Sequence, residues 1–132
     1  MTSQINHITV DCADTYKLAS FWSQVTGRPM HDDDNPGDPE AILLAPDGKG
    51  PNILFIAVPE GKIAETRSGR RIHLDVMPVD RTRDAEVEWL KGIGATEFED
   101  HREADGTGWV TMADPEGNLF CVERSAAERV QG

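Results

Sequence analysis

Residues 5–12 alternate in character. Asn6, Ile8, Val10 and Cys12 fall on one side of an extended segment, and Ile5, His7, Thr9 and Asp11 on the other. That is the period of a strand with one covered face. The period lengthens after Asp14. Tyr16, Leu18, Ala19, Phe21, Trp22 and Val25 recur at helical spacing, so a helix is expected from Asp14 to about Val25, with Gly27 as its stop. Residues 30–40 form a polar, acidic loop. Residues 41–45 and 52–58 read as strands joined by the hairpin-type turn Pro46-Asp47-Gly48-Lys49-Gly50.

The order then repeats. Residues 71–77 read as a strand. A helix lies within residues 78–92, with Val87, Trp89, Leu90 and Ile93 as its apolar positions, and Gly94-Ala95 ends it. Residues 95–99 form a short strand and residues 101–107 a polar turn. Strands over 108–113 and 118–124 flank Asp114-Pro115-Glu116-Gly117, and the tail from Ser125 is a short helix. His73 follows His7 by 66 positions and Asn118 follows Asn52 by 66, half of the 132 residues. Asn6-His7-Ile8-Thr9-Val10 resembles Ile72-His73-Leu74-Asp75-Val76. Each half is therefore β-α-β-β-β, the second strand of the first half being poorly formed near residues 28–31. A diverged internal repeat of this kind implies two modules of one domain, about residues 1–60 and 70–125, joined through residues 59–69. Helices on one face of each sheet leave the other face open. Two curved sheets pairing side by side would enclose a cavity lined by His7 and His73.

Charge and cysteine content narrow the setting. The net charge is −11 and the pI about 4.6, which disfavours nucleic acid and anionic membrane surfaces as partners. Cys12 and Cys121 are too few to staple a domain that can build its own core. A reducing, cytoplasmic setting is expected, and no apolar run has the length of a membrane span.

The residues Ile5-Asn6-His7-Ile8-Thr9-Val10, Asp14 with Leu18-Ala19-Ser20-Phe21-Trp22 and Gly27, Ile72-His73-Leu74-Asp75-Val76, Gly94-Ala95 and Asp114-Pro115-Glu116-Gly117-Asn118 with Leu119-Phe120 resemble the vicinal oxygen chelate superfamily. This is the superfamily of glyoxalases, bleomycin resistance proteins, fosfomycin-resistance enzymes and extradiol dioxygenases. The texture is that of its glyoxalase-like subgroup, and the resemblance spans nearly the whole chain. It implies an α+β fold, two tandem βαβββ modules forming a curved mixed sheet around a cavity. It also implies a homodimer and a small-molecule ligand or substrate.

Metal-using members draw ligands from the first and fourth strands of each module. Carried over, the first-strand positions are His7 and His73. The fourth-strand positions fall on Phe55, which cannot bind metal, and on Cys121, where the pattern has Glu. Two readings stay open. In one, a metal-free cavity binds a small organic molecule against Phe55, Trp109 and Cys121, as in bleomycin resistance. In the other, one divalent ion (zinc, nickel, manganese or iron) sits on His7, His73 and Cys121 and serves a lyase, isomerase or dioxygenase. A thiolate with imidazoles suits zinc and serves a hard, oxygen-preferring ion poorly. Glu123 lies on the same strand face as Cys121, about 6.6 Å further along, and is the candidate catalytic base or substitute ligand. Cys121 as a nucleophile activated by His73 lacks an orienting third group. Trp22 and Trp89 read as core, and Asp32-Asp33-Asp34 reads as a solvated loop without the spacing of a calcium site.

Overall fold

A computed structural model describes residues 2, 4–48, 50–59 and 72–131. The chain divides into two compact units, Met1–Gly69 and Arg70–Gly132. The architecture is mixed α+β, with one mixed sheet in each unit. Among the described residues no helix is long and apolar enough to cross a membrane.

The first unit runs β1 (His7–Cys12), α1 (Thr15–Thr26), β2 (Glu40–Leu43), a 3₁₀ turn (Pro46–Gly48) and β3 (Asn52–Ala57). Its sheet order is β1-β3-β2, with β1 parallel and β2 antiparallel to β3. Asp14 starts α1 by accepting from the Lys17 N–H at 3.1 Å. Gly27 ends it at φ +73°, its N–H donating to the Ser23 carbonyl at 2.8 Å. The strand expected to begin at Ile5 begins at His7, because its partner begins at Asn52, directly opposite. Ile5 is left exposed. The weak second strand expected near residues 28–31 is a single bridge between Met30 and Leu43.

The second unit runs β4 (Leu74–Val76), α2 (Arg83–Gly92), β5 (Thr96–Asp100), β6 (Val110–Ala113), β7 (Leu119–Val122) and α3 (Ala126–Gln131). Its order, β4-β7-β6-β5, repeats the first unit's arrangement, with β4 parallel to β7 and the hairpins antiparallel. β4 is shorter than the expected strand over 71–77. Arg71, like residues 60–69 of the expected joint, lies outside the described residues. The helix expected within 78–92 starts at Arg83 because its caps are there. The Thr82 hydroxyl accepts from the Ala85 N–H at 3.2 Å, and the Glu128 carboxylate from α3 accepts the Arg83 N–H at 2.7 Å. Two of the helix's orphan donors are thereby satisfied.

Each helix covers one face of its own sheet. In the first unit Cys12, Ala41, Leu43, Ile53 and Phe55 are buried with Leu18, Ala19, Phe21 and Trp22 of α1. In the second, Val110, Met112, Phe120 and Val122 are buried with Val87 and Leu90 of α2. Trp22 is core, as expected, and meets Phe21 edge to face at 5.3 Å. Trp89 is half-buried under the Arg81 guanidinium, 4.2 Å from the ring centre.

The repeat slips by one residue in its last strand. Thr9 pairs with Leu54 and Val10 with Phe55, whereas Asp75 pairs with Cys121 and Val76 with Val122. Burial agrees: Ile53 and Phe55 are buried like Phe120 and Val122, while Leu54 is half-buried like Cys121. The position matching Cys121 in the first unit is therefore Leu54, not Phe55. A one-residue offset exchanges the two faces of a strand. Phe55→Ala is expected to cost about 3–5 kcal/mol in urea unfolding, with Leu54→Ala costing clearly less. Equal losses would contradict the register.

Candidate functional site on the open face of the second sheet

The face of the second sheet turned away from α2 carries a row of polar side chains set by cross-strand pairing. Asp75 on β4 lies beside Cys121 on β7, Cys121 beside Thr111 on β6, and Thr111 beside Glu99 on β5. All four share a face because paired residues point the same way. The Thr111 hydroxyl and the Cys121 thiol are 3.5 Å apart. His73, two residues before Asp75, places Nε2 at 3.0 Å from Asp75 Oδ1.

His73, Asp75 and Cys121 thus bring one nitrogen, one oxygen and one sulfur donor within 4.8 Å of one another. Imidazole and thiolate with one carboxylate form a donor set that fits zinc and similar borderline ions; Mg²⁺ or Ca²⁺ would be poorly held. Burial pushes the Cys121 thiol up, and the Asp75 and Glu123 carboxylates add to this against the opposing Thr111 hydroxyl. Without a cation beside it, Cys121 is a neutral thiol and a poor nucleophile.

The expected residues are distributed unevenly over this geometry. His73 and Cys121 come together. His7 lies in the first unit, exposed at the start of β1, with Nδ1 at 3.1 Å from the Asn6 side-chain nitrogen. Phe55 is fully enclosed in the first unit's core. Glu123 shares the face but engages Arg129, its Oε2 at 3.1 Å from the guanidinium. Trp109 is 43 % exposed and stacks on His101, ring centres 4.7 Å apart and planes 23° from parallel.

The sequence reading missed Asp75, Thr111 and His101. The signal for Asp75 was the two-residue step from His73 along one strand. Its nearness to Cys121 depends on strand pairing, which the sequence does not display. His101 fell at the start of the polar turn expected over residues 101–107. It is half-buried because its N–H donates to the Trp109 carbonyl at 2.9 Å, which carries the β5–β6 pairing one step further.

The loop between His101 and Trp109 is fixed by two arginines. Arg83 is 5 % exposed, and its Nη1 donates to the carbonyls of Gly106, Thr107 and Gly108 at 3.1, 3.0 and 3.0 Å. Arg102 clasps Asp100 at 2.8 Å and Asp84 of α2 at 3.1 Å. Gly108 sits at φ +92°, and a Cβ there would collide with the His101 carbonyl oxygen.

Comparison with known proteins agrees with this architecture. A family model described as a glyoxalase-like domain matches residues 7–123. The chain belongs to that family, within the glyoxalase/bleomycin resistance/dioxygenase, or vicinal oxygen chelate, superfamily. A search of the curated proteins found no match. Among solved structures, the chain is similar to a variant of the fosfomycin resistance protein FosX from Listeria monocytogenes, complexed with Mn(II) and a dihydroxypropylphosphonic acid. There the identity is 19 %, with 98 % of this chain and 95 % of that one covered at a TM-score of 0.65. FosX from Mesorhizobium loti matches at 14 % identity and a TM-score of 0.62 with both chains fully covered, 100 % of each. A glyoxalase/bleomycin resistance protein/dioxygenase family enzyme from Burkholderia phytofirmans matches at 18 % identity, covering 91 % of this chain and 97 % of that one, at a TM-score of 0.61. These likenesses establish the fold.

Two outcomes test how the ring pair is held. Gly108→Ala should lower the melting temperature and shift Trp109 fluorescence toward that of a solvated indole, because the loop must open to clear the His101 carbonyl. An unchanged emission maximum would refute this. The second concerns acid. Arg102, bonded to Asp100 through side chain and backbone, holds its carboxyl well below the usual carboxylate range. The folded value lies below the unfolded one, so this stabilisation is present above about pH 3.9 and is lost as the pH falls through the folded value. In urea unfolding, wild type and Arg102→Gln should differ at pH 5 and converge at more acid pH; a difference independent of pH would count against the pairing.

Proposed function

We propose that this chain binds a small organic molecule on the open face of its second sheet. The observation that carries this is the exposed Trp109 ring, backed on one side by His101 and held by a loop fixed through Arg83. An aromatic face that is both rigid and exposed offers stacking area at little entropic cost. The surrounding groups narrow the class. Asp75 and Glu99 lie on this face, and Glu123, one residue past β7, is engaged by Arg129 at 3.1 Å. A planar ring with a hydrogen-bond-donating or cationic substituent suits this surface, and an anionic ring does not.

A second reading has its own observation. The donors of His73, Asp75 and Cys121 converge, and the Listeria FosX structure of the same fold holds Mn(II). In this reading a divalent ion serves a lyase, isomerase or dioxygenase, with His73 as a ligand and His7 as the matching position of the first unit. When bound, such an ion supplies Lewis-acid stabilisation of negative charge on a substrate oxygen. Glu123, two residues beyond Cys121, is the candidate proton acceptor, and its pairing with Arg129 must open for it to act.

Titrating Trp109 fluorescence with planar heteroaromatic cations, neutral rings and anionic rings tests the first reading. Cations and neutral rings should quench, anionic rings should not, and Trp109→Ala should weaken binding, measured by calorimetry, about fivefold, a loss of about 1 kcal/mol. Binding indifferent to Trp109→Ala would remove the ring surface from the site.

A further inference from the structure

We infer that His73, Asp75 and Cys121 form a zinc-class metal site carried by β4 with the residue that leads into it and by β7, with Asp75 supplying the carboxylate that position 121 lacks. The inference rests on the metal-dependent reading above and specifies its ligands and its ion.

The argument begins with pairing. β4 and β7 are adjacent and parallel, and Asp75 stands directly beside Cys121. His73 lies two residues before Asp75, immediately ahead of β4, and already touches Asp75 at 3.0 Å. The donor atoms of all three lie within 4.8 Å of one another. Ligands of a tetrahedral zinc stand about 3.5 Å apart, given bonds near 2.0–2.3 Å. Small side-chain rotations close the difference, and His73 and Asp75 have the freedom for them, with side chains 49 % and 51 % exposed. Three protein ligands leave the fourth position open, the pattern of a zinc that meets a ligand or substrate rather than a purely structural one.

The donor types choose the ion. A thiolate in the set favours zinc, cobalt or nickel over manganese or magnesium, which prefer oxygen donors. A carboxylate on β4 also changes what the first unit must contribute. His7 is not required for three-point ligation, because the second sheet already provides three donors.

Cobalt(II) and zinc(II), added to the metal-free full-length protein, test this without any substrate. Cobalt should give a thiolate-to-metal charge-transfer band in the near ultraviolet that disappears in Cys121→Ser. Zinc should bind near one per chain and resist displacement by excess manganese. Asp75→Asn and Cys121→Ser should each weaken zinc at least tenfold, whereas His7→Ala should leave it unchanged. Circular dichroism and the urea midpoint check that each variant folds; Asp75→Asn, at an exposed position, keeps the test open if Cys121→Ser does not. Retention of no metal would overturn this inference together with the metal-dependent reading. Metal bound without a charge-transfer band, or lost as fully in His7→Ala as in Asp75→Asn, would overturn this inference alone.

Discussion

Everything chemical in the second unit depends on the parallel pairing of its first strand with its last. A parallel pair cannot be closed by a hairpin, so the chain must leave β4, cross over and return. The crossover contains α2, and α2 buries Phe120, Val122, Val110 and Met112 beneath it. Alternation along each strand then turns Asp75, Cys121 and Thr111 to the other face. The polar row is thus the counterpart of the apolar core, written on the same strands one residue out of phase. The first unit obeys the same constraint through β1 and β3. There the row reads Thr9 and Leu54, which offer no comparable donors. The converging donors stand in one copy of a repeated framework.

Much of this was legible in the sequence. The alternation over residues 5–12, the helical stripe ending at Gly27 and the Asp114-Pro115-Glu116-Gly117 turn each name an element through local physics, and the elements followed. The repeat also identified His7 and His73 as matching positions on β1 and the approach to β4. What could not be read was register. Spacing alone matched Asn52 to Asn118 and so set Phe55 against Cys121. The structure matches Phe55 to Val122, because β7 is displaced by one residue relative to β3. Hydrophobicity is a poor guide there, since Leu54 and Phe55 are both apolar and only burial separates them. Asp75 was missed for a related reason. Its importance lies in what stands beside it on another strand, 46 residues away, and no local pattern carries that.

The ring pair shows a different dependence, on backbone accounting. The carbonyls of Gly106, Thr107 and Gly108 are consecutive in the loop, and that of Thr107 also accepts from the Glu103 N–H at 2.9 Å. One buried guanidinium, Arg83, takes all three. Its own charge is answered by Asp84 at 3.0 Å, which also receives Arg102. Lysine could not do this, because its single ammonium lacks the rigid planar fork that holds the loop and a carboxylate from different edges. The stacking of Trp109 on His101 is therefore maintained from the N-terminal end of α2.

The two chemical features of the face lie at different places along the strands, and that bears on how they relate. His73 precedes the Asp75–Cys121–Thr111–Glu99 row. Trp109 and Glu123 lie beyond it, each one residue past the Val110–Val122 pair. Two of the three donors, Asp75 and Cys121, belong to the row itself, so a ligand stacked on Trp109 would meet Thr111 and Cys121 before it reached His73. Cys121 belongs to both arrangements: as a neutral thiol beside the Thr111 hydroxyl it is a small polar wall, and as a thiolate on a borderline ion it is an anchor. The same side chain cannot be both at once. Binding a metal removes the thiol proton and alters the charge that the row presents to anything resting on Trp109. Metal occupancy would then govern which rings the face accepts, favouring those that carry an oxygen for the ion over those that carry a cation for the free carboxylates.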